Sequence, residues 1–403
     1  MRTLPRSLRW LAVGGLACGL GWSALLPADT LKPIVVGYLG MERPDDREPL
    51  SVLDPVLDDE GEQGARLAIN DNNASAQFLG QEFIFHEAQV AQGGDVGEAL
   101  ESLVEQGAEW IISGLPGEAL TEVMAHPARG DRVVFNAGAP DDELRGEACH
   151  PELYHTTPSR RMLADALAQF LGFKQWNRWV LVYGNTEEDR ILADVLRAAA
   201  ERYGHRIVGD RQWPHDPMAR RAEGGFHAIQ REIPVFVQDL PEHDVLVIAD
   251  ETDYFGEYFP YQTWAPRPVV GTQGLIATPW HRAHESWGAV QLQRRFEELA
   301  DRRMTPRDFG AWLAVRSLGE SAARAGSVER ETILEYMLSE EFELAGYLGL
   351  PVSYRTWNHQ LRQPILVTGP RMVASVSPQE GYLHPRTPLD SLGVDEGEST
   401  CRF

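Results

Sequence analysis

The residues in this sequence best placed to do chemistry are few. His281, His284 and Glu285 form an H-x-x-H-E run that gathers two imidazoles and a carboxylate within five positions. Helical zinc hydrolysis sites need two histidines one turn apart with a glutamate between them, and this order does not supply that arrangement. A solvated helix start suits the run better. Asp250 and Glu251 are a second pairing, at the end of an apolar run and at the head of Asp-Glu-Thr-Asp-Tyr-Phe-Gly-Glu-Tyr-Phe-Pro-Tyr. Two adjacent carboxylates could serve as acid and base. With their aromatic neighbours they could also hold a ligand, the rings by stacking and the acids by pairing with donors or cations. A helix that buries its rings and solvates its acids fits the same stretch. No G-x-x-x-x-G-K-[ST] phosphate loop, no G-x-S-x-G elbow and no G-x-G-x-x-G after the first strand is present. The expectation is therefore a chain with no catalytic residue, no metal and no cofactor.

The elements that would position such residues are legible from periodicity. Short runs rich in β-branched and aromatic residues at 34–39, 83–87, 110–113, 133–136, 179–183, 245–249 and 269–271 are apolar on both faces. That pattern suits central parallel strands covered by helices on either side. Between them, apolar stripes recur at three and four residues: Ala65, Ala68, Ile69; Val96, Leu100, Leu103, Val104; Met162, Leu163, Ala166, Leu167, Phe170; and Ile191, Leu192, Val195, Leu196. Strand and helix alternate through two blocks, which predicts an α/β protein of two doubly wound, Rossmann-like sheets with ligands beyond the carboxyl ends of the strands. A length of 403 residues suits two such lobes. The rhythm pauses at 152–159, where Pro158 favours extended backbone, and this is the expected first hinge crossing.

The N-terminus has a separate logic. Arg2, Arg6 and Arg9 precede an apolar run at 11–20 and end in Leu26-Pro27-Ala28, the layout of a cleavable secretory signal over 1–28. The run is shorter than the roughly 20 residues a membrane span needs, and a lipid-modified Cys18 is a weaker alternative. The chain carries 37 basic and 60 acidic residues, and losing three signal arginines would leave it more acidic still. Such a surface repels phosphate backbones and anionic lipid, so nucleic acid is excluded as a partner class. Export would also leave two cysteines, Cys149 and Cys401, as a candidate disulfide in an oxidising compartment, two unpaired thiols being the alternative.

Five stretches in order resemble the type I periplasmic binding proteins of the leucine/isoleucine/valine-binding kind. They are 63–70 (Gln-Gly-Ala-Arg-Leu-Ala-Ile-Asn), 105–114 (Glu-Gln-Gly-Ala-Glu-Trp-Ile-Ile-Ser-Gly), Asn136-Ala137-Gly138-Ala139 running on to Glu143-Leu144, 154–159 (Tyr-His-Thr-Thr-Pro-Ser), and 357–367. The resemblance implies a periplasmic, monomeric substrate-binding component of an ABC transporter, with a permease as partner and a small molecule as ligand. It also implies a three-crossing hinge, with lobe one at 30–157 plus 275–348, lobe two at 158–274 plus 349–385, and a tail at 386–403. Within the family, Trp176-Asn177-Arg178-Trp179-Val180 and the stretch 373–384 resemble the substrate-binding protein of a PQQ-dependent alcohol dehydrogenase system.

Carried over by position, the family's ligand contacts fall on residues of other types. The family's carboxylate-binding serine and threonine loops read Gly114-Leu115-Pro116-Gly117 and Ala137-Gly138-Ala139-Pro140 here, its lobe-two tyrosine falls at Glu188, and the acid that pairs with the ammonium falls at Gln273. Ordinary branched-chain amino acids are therefore expected to bind poorly, because a buried ammonium without its partner costs about 3–5 kcal/mol. The expected ligand-binding set is Ser113, Gly114, Leu115, Gly117, Ala137, Gly138 and Ala139 through their loop backbones, faced by Tyr183, Glu188, Asp250, Glu251 and Gln273. Simpler roles remain open for several of them: tight turns for the glycines, strand-end packing for Tyr183, an exposed first-turn acid for Glu188. Two other functions remain open as well, a sensor partnering a membrane regulator and an enzyme or enzyme accessory using Asp250 and Glu251 as acid and base.

Overall fold

The computed structural model describes residues 32–42, 57–91, 93–214 and 225–403; the signal expected at 1–28 lies outside them. The first sheet contains β1 (Lys32–Met41), β2 (Gln81–Val90), β3 (Trp110–Ser113), β4 (Val133–Asn136) and β5 (Leu153–His155). Its strands run in the order β2-β1-β3-β4-β5, all parallel, so the winding reverses between β1 and β3. Successive side chains of a strand point to opposite faces, and the sequence uses both. Ile34, Val36, Tyr38, Trp110, Ile112, Val133 and Phe135 enter one core, while Leu39, Ile111 and Val134 enter another. The second core takes its cover from α2 (Val96–Glu105) and α3 (Gly117–Ala125), the first from α1 (Glu62–Ala76) and three later helices.

A second unit follows: α4 (Arg160–Phe173), β6 (Arg178–Tyr183), α5 (Glu187–Arg202), β7 (Arg206–Gln212), α6 (Gly225–Gln238), β8 (Val245–Ala249), α7 (Phe259–Gln262), β9 (Val269–Gly271) and β10 (Leu275–Thr278). The chain then returns to the first lobe through α8 (Ala289–Ala300), α9 (Pro306–Ala325), α10 (Arg330–Met337) and the small sheet β11 (Leu344–Ala345), β12 (Pro351–Tyr354) and β13 (Leu361–Arg362). It ends in the second sheet with β14 (Ile365–Gly369) and β15 (Met372–Ser377), giving the order β15-β14-β10-β9-β8-β6-β7. Three crossings thus join the lobes, after β5, after β10 and after β13. The division differs from the expected one at two places. Residues 275–278 pair with β9 and β14 in the second sheet, and the β12–β13 hairpin packs Val352, Tyr354 and Leu361 into the first core. Neither segment's own residues say which lobe it joins, so only its pairing and packing assign it.

The longest helix among the described residues, α9, illustrates how local chemistry sets an element. Thr305 and Asp308 form a reciprocal capping box, Pro306 occupies the first turn, and Gly326 closes the helix in the left-handed region at φ 62°. Its first turn lies against α1 so closely that a Cβ on Gly64 would sit 1.9 Å from the Asp308 carbonyl oxygen. A glycine is required there by distance alone.

Residues 378–403 form a strap touching both lobes. Cys401 is disulfide-bonded to Cys149 in the first lobe, and Asp390 accepts from Arg355 (2.9 Å) and Arg362 (2.7 Å). On the other side Tyr203 donates to the Ser391 carbonyl (3.0 Å) and the Gly393 N–H donates to Asp165 (2.8 Å). Burial raises Asp165 to about 6. With the native value above the ordinary one, the native state binds the extra proton between 3.8 and about 6, and stability falls as pH rises through that window. Asp165→Asn keeps an acceptor for Gly393 and carries no charge. It is expected to gain on the order of 1–3 kcal/mol relative to wild type on going from about pH 5 to pH 7.5, read from paired urea titrations. Parallel curves for the two proteins would refute the assignment.

Candidate functional site

The loops at the carboxyl ends of β3 and β4 are packed on each other. The Gly114 N–H donates to the Leu39 carbonyl (2.9 Å), Leu115 N–H to the Ser113 hydroxyl (3.3 Å), and Ala137 N–H to the Ser113 carbonyl (2.9 Å). Gly138 and Ala139 both donate to the Asn136 side-chain oxygen, at 3.1 and 2.8 Å. A Cβ on Gly138 would lie 2.6 Å from the Gly114 carbonyl, so the glycine serves this close approach. Leu115 and Ala139 belong to one core of the first lobe and Ala137 to the other. The backbone donors expected at Gly114, Leu115, Ala137, Gly138 and Ala139 are thus spent inside the loops, because a buried N–H must find a partner. Gly117 begins α3 with the Asp141 carboxylate against it.

In the second lobe, the structure separates the expected residues. Glu188 is exposed on the first turn of α5, whereas its neighbour Asp189 is buried and accepts from the N–H groups of Glu251 (2.8 Å) and Thr252 (3.3 Å). Tyr183 packs against the second-lobe core with the Arg197 guanidinium 4.8 Å over its ring. Asp250 turns its carboxylate onto the N–H groups of Tyr254 (2.8 Å), Phe255 (2.9 Å) and Gly256 (2.6 Å), and burial raises it to about 6. Phe255 and Phe259 pack on Trp213, while Tyr261 and Trp264 are exposed. The stretch after β8 is therefore a turn tied by Asp250, a short 3-10 segment and α7, in place of one continuous helix. His284 is likewise structural, bonded to the Tyr347 carbonyl (2.8 Å) between Trp280 and Trp287.

Asp250, Glu251 and Gln273 do come together, at the rim of a cavity of about 430 Å³. Its body is apolar, formed by Leu163 and Leu167 of α4, Leu192 and Leu196 of α5, and Ile276 of β10. Above it stands Arg160, which sequence reasoning missed. Its guanidinium meets Glu251 of the second lobe through three contacts of 2.6–2.9 Å and Asp141 of the first lobe at 2.9 Å. Burial lowers its affinity for a proton, but hydrogen bonds and charge from the two carboxylates raise it overall, so the side chain stays charged. The Arg160 N–H also donates to the Pro140 carbonyl (2.9 Å), which docks the start of α4 onto the first lobe. A signal was present: a helix N-terminus disfavours cations, and Arg160 and Arg161 open α4 together. Their carboxylate partners lie far along the chain and could not be read from it.

A second arginine organises the hinge. Arg145, buried to 2% exposure, donates to the Gln360 side chain (2.8 Å) and to the carbonyls of Ala139 (3.0 Å), Asp141 (2.8 Å) and Thr157 (2.9 Å). It ties the loop beneath Arg160 to the first crossing at Thr157 and to the β12–β13 hairpin at Gln360. Burial lowers its guanidinium to about 10, which still leaves it charged at neutral pH.

Two lobes on doubly wound sheets, the first all parallel and the second parallel except where β14 pairs antiparallel with β10 and β15, joined by three crossings, have the architecture of the type I periplasmic binding proteins. The cavity lies in the second lobe, with Pro140 its lining residue from the first. Residues 56–219 match a family model described as Periplasmic binding protein. A branched-chain amino acid ABC transporter periplasmic ligand-binding protein from Burkholderia xenovorans superposes with a TM-score of 0.67 at 13% identity, covering 91% of this chain and 99% of that one. A branched-chain amino acid transporter substrate-binding protein from Streptococcus pneumoniae, in complex with isoleucine, gives 0.62 at 13% identity over 86% and 99%. An ABC transporter solute-binding protein from Rhodopseudomonas palustris, in complex with 3,4-dihydroxybenzoic acid, gives 0.57 at 11% identity over 84% and 93%. At these identities the likeness establishes the fold. No curated protein matches by sequence.

Proposed function

We propose that this chain is the substrate-binding component of an ABC-type transporter, working in the periplasm and closing its two lobes on a small solute that it releases unchanged. The observation that carries the reading is the cavity under Arg160, whose guanidinium is held by one carboxylate from each lobe. A ligand that favours the closed arrangement shifts the hinge equilibrium by its differential affinity for the two states, and no bond need change. The solved proteins of the same fold named for ABC transport support the reading, as does the Cys149–Cys401 disulfide, which suits an oxidising compartment. The arrangement of Asp250 and Glu251 weighs against acid/base catalysis, since one is bound by three backbone N–H groups and the other by Arg160. The finer association, with PQQ-dependent alcohol oxidation, rests on the resemblance of residues 176–180 and 373–384.

The test is a thermal-shift screen of small solutes followed by solution scattering with each hit. A true ligand at about a hundredfold excess over Kd adds about 2.7 kcal/mol of stability and contracts the molecule. Hits that are consumed when incubated with the pure protein would refute the proposal in favour of an enzyme.

A further inference from the structure

The charges around the cavity carry information on what it can hold. Arg160 already binds Glu251 and Asp141. Asp250 is held by three backbone N–H groups, and Asp253 accepts from the Gln273 amide at 2.9 Å. The rim hydroxyls are engaged as well: Thr272 donates to the Ile248 carbonyl and accepts from the Asp250 N–H, and Thr278 donates to the Trp280 carbonyl. A ligand carboxylate entering here meets a guanidinium outnumbered by the two protein carboxylates that hold it, with Asp250 and Asp253 adding further negative charge to the lining. An anionic ligand must therefore break an existing pair or be buried without a partner, and both are costly. Beneath this rim lie leucine side chains of α4 and α5 and Ile276, which favour ligand surface in proportion to its apolar area.

We infer that the cavity selects a molecule with a largely apolar body and no negative charge, and that the Arg160–Glu251 pair is the element that rejects anions. This deepens the solute-binding reading and rests on it. The cavity volume of about 430 Å³ lies within the ordinary range of small-molecule sites.

The experiment is calorimetric titration of the full-length mature chain with matched probes at up to millimolar concentration: benzyl alcohol, benzoate and benzylamine, the cyclohexyl counterparts of each, and leucine as a zwitterion. The neutral member of each set is expected to bind at least about tenfold tighter than its carboxylate partner. Leu196→Trp, which fills the cavity, should weaken the neutral probes by about tenfold or more, with Leu163→Phe as the second filling variant should the first not fold. Glu251→Gln, which leaves Arg160 with one fewer carboxylate, should raise the ratio of benzoate to benzyl alcohol affinity by about tenfold. Tighter binding of benzoate or its cyclohexyl counterpart than of the matching alcohol, blocked by the filling variants, would overturn the inference and leave the solute-binding reading intact. Neutral binding unaffected by both filling variants would overturn it by moving the site elsewhere. Silence of every neutral probe would also overturn it, and the solute-binding reading would then stand or fall by the broader screen.

Discussion

Replacing both Cys149 and Cys401 by serine is expected to lower the free energy of unfolding by about 2–5 kcal/mol. The bond joins residues 252 apart in sequence, so in the oxidised unfolded chain it closes most of the molecule into one loop. Closing longer loops removes more unfolded-state entropy, which puts this bond at the upper end of the range. The native side contributes too. The strap also contacts Arg355, Tyr203 and Asp165, and the bond holds its end against the first lobe. Urea unfolding of the oxidised protein, the reduced protein and the double-serine variant measures the effect. The reduced protein and the variant should coincide, both below the oxidised form. A variant as stable as the oxidised protein would show that the strap binds without its covalent link.

Arg145→Met is expected to cost about 3–5 kcal/mol, the range for breaking a buried charged network. Methionine fits the volume but donates nothing, so the carbonyls of Ala139, Asp141 and Thr157 and the Gln360 side chain lose a donor in a buried setting. Each buried acceptor left unsatisfied costs about 1–3 kcal/mol where water cannot replace the donor. Arg145→Lys should recover only part of the loss, because an ammonium cannot reproduce the planar fork that reaches four acceptors. Thermal melting gives the magnitude, and hydrogen exchange gives the location. Protection should fall first at the hinge amides of Thr156 and Thr157, which donate to the Asn136 carbonyl. Loss of stability with hinge protection unchanged would mean that Arg145 supports the lobe and not the crossing.

These contacts show where the sequence was informative. Seven strands and four helices could be read from it because their signals are local: the alternation of Ile34, Val36 and Tyr38 along β1, or the Leu192–Leu196 stripe on α5. The crossing at Pro158 was legible for the same reason, since proline restricts the residue before it whatever surrounds them. Glu251 and Gln273 follow strand ends, where ligands bind in this class of sheet, and both line the cavity. The first-lobe loops misled. Their glycines and small residues read as open backbone, yet Asn136 and Ser113 take up their N–H groups.

The sequence by itself determined two doubly wound lobes, because helix and strand periods are written over a few residues and need no distant partner. It also supplied the acidic surface and the cysteine pair. Tertiary structure alone decided which polar groups remain for a ligand: Asp250 turned inward to its own turn, Arg160 shared between Asp141 and Glu251, and Arg145 meeting Gln360 from 215 positions away. Hydrogen-bond capacity is consumed by whichever group arrives nearest in space, and proximity in space across hundreds of residues has no local signature in the chain.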